Sequence, residues 1–278
     1  MTVFLTDRTI GPVELAREVE ARGFSSAWLP EHTHIPTSRR TPAPMGEPIA
    51  EEYKRCLDPF VAMAQMAAVT ERIRIGTGIA LLAERDPIVT AKEVATLDHL
   101  SGGRVDLGIG YGWNIEELED HGGSKATRRA VVRERVLAMQ GLWADDEFGF
   151  EGDHVRFAES WSWPKPVQSV RGRRGVPVLV GGAPGPILFR HIAEFADGWI
   201  PVGGAGVAAA MADLRAAAEA VDRDPAELTV VPFGTLPDRG KLDHYASLGI
   251  RETVLRLPSA GRDEVLRTLD SFAPFLES

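Results

Sequence analysis

Four consecutive residues, Glu31-His32-Thr33-His34, bring a carboxylate and two imidazoles to the end of the apolar stretch Ala27-Trp28-Leu29. A histidine that titrates near neutrality is suited to moving protons. The same residues would also serve as a polar surface loop. They contain a His-x-His pair of the kind that can hold zinc, but such a site needs further ligands. The other strand ends offer Thr77, Gly110, Gly181 and Pro201, none of them a strong ligand, and His191 falls inside a helical stretch, so no metal is expected.

Two glycine-rich segments carry the other candidate chemistry. Gly110-Tyr111-Gly112-Trp113-Asn114 combines two aromatics and an amide, types that stack on a flat ring or hydrogen-bond to it. Gly110 and Gly112 would add exposed N–H groups. The alternative is a packed loop with Trp113 in the core. Gly181-Gly182-Ala183-Pro184-Gly185 runs into a helix, where bare backbone and a helix N-terminus favour an anion such as phosphate. The alternative there is a tight turn that needs small residues.

The elements that must position these groups follow from the apolar pattern. Ile73-Arg74-Ile75 alternates and breaks at Gly76-Thr77-Gly78; a helical stretch covers Asp86 to His99; Arg104 to Ile109 reads as a second strand ending in glycine. Further strands are expected at Val3–Leu5, Ala27–Leu29, Val176–Val180, Gly198–Pro201, Leu228–Phe233 and Glu252–Leu257. Helices are expected between them, and Ser124 would cap a long one carrying Val132, Val136, Met139 and Trp143. A long proline-rich segment, Ile35 to Leu57, reads as a lid or binding loop. Phe148 to Phe157 reads as a small hairpin turning at Glu151–His154, and Val170 to Gly175 as a basic linker.

Roughly eight strand-helix units predict an α/β fold, a closed (β/α)8 TIM barrel over residues 1–278, with the long loop after strand 2 and the hairpin before strand 5. A doubly wound open sheet is the alternative. In either, ligands bind where parallel strands reach their carboxyl ends.

A net charge of -9 argues against a nucleic-acid surface. The single cysteine, Cys56, excludes an internal disulfide and fits a reducing compartment. The start, MTVFLTDRTIGP, lacks a basic n-region, and no stretch approaches the ~20 apolar residues that span a membrane. A cytoplasmic protein is therefore expected. Alanine-rich helices with exposed apolar faces would permit a homodimer.

The segments GRVDLGIGYGWNIEELEDHG, RERVLAMQGLW, WPKPVQ followed by VPVLVGG, and IAEFADGWIP together resemble the bacterial luciferase-like superfamily. The run GFSSAWLPEHTHIPTSRRTPAP resembles its deazaflavin branch, which uses coenzyme F420 in a TIM barrel. The similarity covers nearly the whole chain. It implies a flavin-type ring at the barrel mouth, buttressed where a strand ends in a non-proline cis peptide, here Gly78-Ile79 after Thr77. It implies that Tyr111, Gly112 and the Gly181-Gly182 turn hold the coenzyme's phosphate and chain, with Gly110, Trp113 and Asn114 in the same mouth. Glu31 and His32 match an acidic-His pair that faces the ring in sugar-phosphate dehydrogenases, where His32 would handle a proton during hydride transfer. Those enzymes carry a catalytic glutamate where this chain has Trp113, so their substrate is not carried over.

The expectation is an F420-dependent oxidoreductase acting on a small organic substrate. An FMN-dependent monooxygenase of the same superfamily and a non-catalytic flavin or deazaflavin carrier are the alternatives; a zinc hydrolase is the fourth and least favoured.

Overall fold

The structure, a computed structural model, describes residues 1–204 and 206–276. Helix α1 (Pro12–Ala21) precedes β1 (Ser26–Leu29); α2 (Glu51–Lys54) and α3 (Pro59–Ala67) lead to β2 (Arg74–Leu81); α4 (Pro87–Ser101) connects β2 to β3 (Val105–Gly110). Then come α5 (Ile115–Asp120), α6 (Arg128–Ala144), the pairs β4 (Glu147–Glu151) with β5 (Arg156–Trp161) and β6 (Ser169–Val170) with β7 (Arg173–Arg174), and β8 (Val178–Gly181). The remainder is α7 (Pro186–Phe195), β9 (Gly198–Ile200), α8 (Val207–Glu219), β10 (Thr229–Val230), β11 (Phe233–Thr235), α9 (Arg239–Ser247), β12 (Val254–Leu255) and α10 (Arg262–Phe272).

One parallel sheet runs in the order β1-β2-β3-β8-β9-β10, and β11 pairs with β12 in a separate parallel ladder. Every residue of β1, β3 and β8 is buried, as strands covered on both faces must be. The helices begin where the sequence supplies caps. Asp86 accepts hydrogen bonds from Ile88 N and Val89 N, both at 2.9 Å, Pro87 takes the first turn of α4, and Gly102 closes it at φ 70°. Asp58 and Pro59 do the same for α3.

The predicted eight strand-helix units appear as this six-stranded sheet and the β11-β12 pair, rather than one continuous ladder. Two features interrupt it. Val3–Leu5 forms no strand, and its neighbours Thr2 and Thr6 make only isolated bridges. The predicted strand Leu228–Phe233 divides at Pro232, which has no N–H to donate. The neighbouring ladder bonds survive: Val231 N donates to Trp199 O at 2.9 Å and Phe233 N to Pro201 O at 2.9 Å. Because Val3–Leu5 is not a strand, the long loop follows the first strand, β1, and not the second.

The predicted hairpin is β4-β5, whose turn is fastened to α6 by Glu134, a carboxylate accepting from Asp153, His154 and Val155 N–H groups. The stretch read as a basic linker makes a second small hairpin, β6-β7; Arg171 (φ 51°) and Gly172 (φ 76°) both have the positive φ that a tight two-residue turn needs. Helix α6 starts at Arg128, after Ser124, whose hydroxyl instead accepts from Ala126 N at 3.2 Å.

The main core lies between the sheet and its helices. A smaller cluster collects Trp28 from β1, Leu179 from β8, Ile200 from β9, Phe233 from β11 and Val254 from β12, with Ile79 of β2 against it. Trp143 and Trp199 are buried as well, whereas Trp161 and Trp163 are exposed. Among the described residues no helix is long and apolar enough to cross a membrane.

Candidate active site

The floor of the site forms where β2, β3 and β8 end side by side. The Gly78-Ile79 peptide is cis, and the β2-β3 register shifts between Thr77 and Ala80. The Ile79 side chain turns across the neighbouring strand ends and fills the space that Gly110 and Gly181 leave open; a Cβ at Gly181 would lie 3.0 Å from Ile79 Cγ2. Gly78 likewise lies against the Phe233 ring, with no room for a side chain. Close approach, of the Phe233 ring at Gly78 and of the Ile79 side chain at Gly110 and Gly181, disfavours a Cβ at these three positions. Thr77 is buried and its hydroxyl donates to Gly108 O at 2.7 Å, which ties β2 to β3 below the floor.

Glu31 and His32 leave the end of β1 in different directions. Glu31 is buried. Its Oε2 accepts from Leu81 N at 2.7 Å and its Oε1 from Arg85 Nε at 2.6 Å. Arg85 also binds Asp58 at 2.8 Å and lies 4.4 Å over the Phe60 ring, so the pair links β1, β2 and α3. His32 is buried too, with Nδ1 2.7 Å from Glu117 Oε2. Trp113 Nε1 lies 3.2 Å from His32 Nε2. An indole N–H can only donate, so Nε2 is the acceptor and Nδ1 carries the ring proton toward Glu117. Glu117 Oε1 accepts from Thr33 N at 3.0 Å, and Asn114 Nδ2 approaches Oε2 at 3.4 Å. Asn114 is buried with its Oδ1 unpartnered.

The long loop packs over this group. Glu116 of α5 accepts from Arg40 N at 2.9 Å and from the Thr41 hydroxyl at 2.7 Å. The Thr41 hydroxyl and then the Arg40 N–H favour the ionised form and hold this carboxyl at about 2. Arg39 forms a two-pronged pair with Glu47, at 2.8 and 2.9 Å, and its guanidinium lies 5.9 Å from the Trp113 ring centre. The Tyr53 ring sits 5.3 Å from His32 and 6.1 Å from Trp113.

Beneath Gly112 lies Glu84. Its side chain is 1% accessible and neither oxygen has a hydrogen-bond partner. Burial, then the neighbouring Glu117 and Glu31, push it up to about 8 against the opposing pull of Arg135 and Arg85. His121 Nε2 is 3.9 Å away. The predicted His-x-His pair separates: His34 is exposed and reaches Asp120 at 3.0 Å, while Thr33 Oγ1 bridges His34 and His121. Among the described residues no three His, Cys, Asp or Glu side chains converge as a metal site.

On the opposite side of the floor, the Tyr111 hydroxyl meets His191 Nδ1 at 2.9 Å. Burial raises the Tyr111 phenol to about 12 and lowers the His191 imidazole. Arg129 of α6 lies 5.7 Å from the Tyr111 ring centre. The Gly181-Gly182 turn is partly committed to the fold. Gly182 N donates to Ile200 O at 3.3 Å and Gly182 O accepts from Trp199 Nε1 at 2.9 Å.

The structure thus gathers Gly78, Ile79, Gly110 and Gly181 at one floor, with Glu31, His32, Trp113 and Asn114 on one flank and Tyr111 and Gly182 on the other. Sequence reasoning missed Glu117, Glu116, Glu84, Arg85, Tyr53 and His191. The one available signal was the pair Glu116-Glu117 two residues past a glycine mouth, read only as part of a short helix.

The family profile described as luciferase-like monooxygenase matches residues 11–236. Rv0953c of Mycobacterium tuberculosis is 40% identical over 98% of this chain and 96% of its own length. The F420-dependent glucose-6-phosphate dehydrogenase of Intrasporangium calvum is 30% identical over 70% of this chain, a match that spans 55% of that enzyme. Among solved structures, an F420-dependent secondary alcohol dehydrogenase superposes with a TM-score of 0.75 at 18% identity, covering 98% of this chain and 96% of that one, a likeness of fold. On the profile match and the full-length relative, this chain belongs to the luciferase-like monooxygenase family.

Proposed function

We propose that the chain is a coenzyme F420-dependent oxidoreductase that moves a hydride between the deazaflavin and a small organic substrate. The observation that carries this reading is His32, a buried imidazole whose Nδ1 proton is fixed by Glu117 and whose Nε2 lone pair accepts the Trp113 indole N–H. A group so held takes a proton at one defined nitrogen, which is what oxidation of an alcohol requires beside a hydride acceptor.

The site fits a flat tricyclic ring. Three glycines leave Ile79 as the side chain that surfaces the floor, and the buried Asn114 Oδ1 lacks a partner. Gly78, Ile79, Gly110 and Gly181 would lie under the ring. Tyr111, His191, Arg129 and the Gly182 turn would meet its phosphorylated side chain. When bound, the deazaflavin would supply hydride acceptance or donation. The chain's own residues would orient and exclude water: Glu31, through Arg85 and Leu81 N, fixes the backbone that presents His32, and the 35–57 loop covers the flank.

We also propose that the strands close as a (β/α)8 barrel. Thr2 bridges both Trp28 and Arg256, Val202 bridges Phe233, and residues of β1, β8, β9, β11 and β12 share one interior cluster, all of which support closure.

The family profile favours one other reading, an FMN-dependent monooxygenase. Titration of the purified protein with F420 and with FMN separates them. Binding of F420 with reduction by a substrate is expected; tight FMN binding without F420 binding, with oxygen consumption by the reduced complex, would replace the first reading by the second.

A further inference from the structure

Trp113 does not sit on the floor with Gly110, the first residue of its glycine-rich segment. Its indole stands edge-on to His32, with ring centres 5.6 Å apart and planes at 73°, and its N–H fills the Nε2 lone pair at 3.2 Å. Since Glu117 holds Nδ1, that lone pair is the imidazole's only remaining function, and Trp113 already uses it. Two residues of the overlying segment hold the indole there. Tyr53 packs perpendicular to it at 84°, and Arg39 lies over its face.

A donor pointing at Nε2 stands where a group must stand to pass a proton to that nitrogen. We propose that Trp113 is a built-in occupant of the proton-accepting position: its indole N–H keeps the place of a substrate hydroxyl, and an alcohol must displace it to react. This rests on the F420 reading above and gives its substrate class. A carboxylate or phosphate oxygen only accepts, so it cannot replace the indole on a lone pair. A hydroxyl can. In the forward direction the substrate O–H bond breaks and its proton passes to Nε2. The adjoining C–H hydrogen leaves with its electron pair to the deazaflavin, and the carbon ends as a carbonyl. While Nε2 carries that proton, two N–H groups would oppose each other, so Trp113 returns only after His32 has released it.

Two measurements test this. The first uses the full chain without cofactor, with 15N-labelled tryptophan; the Trp113 indole cross-peak is identified by its loss in Trp113→Phe. In His32→Ala that cross-peak is expected to move toward the position of an unbonded indole. A cross-peak that stays in place shows that the indole does not occupy His32 and overturns the proposal. If Trp113→Phe does not fold, the peak is assigned in the wild type through its proximity to the Tyr53 ring, 6.1 Å from the indole between ring centres. The second uses F420 with propan-2-ol and cyclohexanol. Trp113→Phe removes the competing donor, so the KM for alcohol is expected to fall roughly five-fold, the scale of one net hydrogen bond. An unchanged or raised KM overturns it. Wild-type protein that binds F420 but reduces it with neither alcohol overturns the hydroxyl assignment, whereas failure to bind F420 overturns the underlying reading; the indole measurement needs neither.

Discussion

Glu117 holds His32 at two points: Oε2 meets the ring Nδ1 at 2.7 Å, while Oε1 accepts the N–H of the next residue, Thr33, at 3.0 Å. One carboxylate thus fixes both the imidazole and the backbone that carries it. An amide cannot do this, because its two ends differ: one oxygen accepts and one nitrogen donates. Glu117→Gln must either lose the Thr33 bond or turn an N–H toward Nδ1. In the second case the ring takes its other tautomer and Nε2 is no longer a base. F420 reduction by substrate should fall about 100-fold in kcat, the scale of a positioned acid–base group, while F420 affinity changes little. A rate within a few-fold of wild type would remove His32 from the proton transfer.

Glu84 sets a pH dependence of stability. Its buried carboxyl lies at about 8 in the folded chain against an ordinary 4.5. Between those values the folded state keeps a proton that the unfolded chain has lost, so the contribution is fully present below 4.5 and is lost as the pH rises through about 8. The groups that face it are Glu31 from the end of β1, Glu117 and His121 from α5 and its exit, Arg135 from α6, and Arg85 next along the chain. Glu84→Gln keeps the shape without the ionisation. Thermal unfolding of the wild type should lose about 5 °C or more between pH 6 and pH 9, and the variant should lose much less of it. Parallel curves would show Glu84 to be ionised throughout.

The two carboxylates also show what the sequence could and could not tell. Gly78, Gly110 and Gly181 were legible because close approach of main chain leaves few residue types, and the glycines end apolar runs of strand length. His32 stood out as an imidazole just past an apolar run, although the same residues would equally read as a polar surface loop. Glu117 was not: its partner is 85 positions away, and Ile-Glu-Glu-Leu-Glu-Asp reads as a solvated helix. Glu84 was hidden for the same reason, since Ala-Glu-Arg-Asp-Pro looks like a polar turn until α5 covers it. The β10–β11 break was visible only as Pro232 inside an otherwise apolar run, and the sequence reading passed over it.

Glu116 fastens the 35–57 segment to α5 through Arg40 N, Thr41 N and the Thr41 hydroxyl. Its carboxyl is held at about 2, so this fastening is present above the ordinary 4.5 and is lost as the pH falls toward 2. Glu116→Ala should free the turn at any pH. Trypsin cleavage after Arg39 or Arg40 should then quicken about ten-fold, since cleavage follows the open population when reclosing is fast. Substrate KM should rise with it. Unchanged cleavage would mean that the Arg39–Glu47 pair alone holds the segment.

Ile79 and Gly110 offer the sharpest test of the floor. A Cβ at Gly110 would meet first the Cδ1 of Ile79, which is also 3.1 Å from a Cβ at Gly181, where the nearer atom is Cγ2 at 3.0 Å. Gly110→Ala should therefore destabilise the fold by about 1–3 kcal/mol and weaken F420 binding, because the displaced side chain lifts the surface on which the ring lies. Ile79→Val deletes Cδ1 and keeps both γ carbons. It should restore most of the stability and binding lost in Gly110→Ala, but little of that lost in Gly181→Ala. Unfolding and F420 titration of the two double variants measure this difference. Equal rescue at both positions would show that the strand ends shift to admit a methyl, and that the glycines are not there to let Ile79 cross between them.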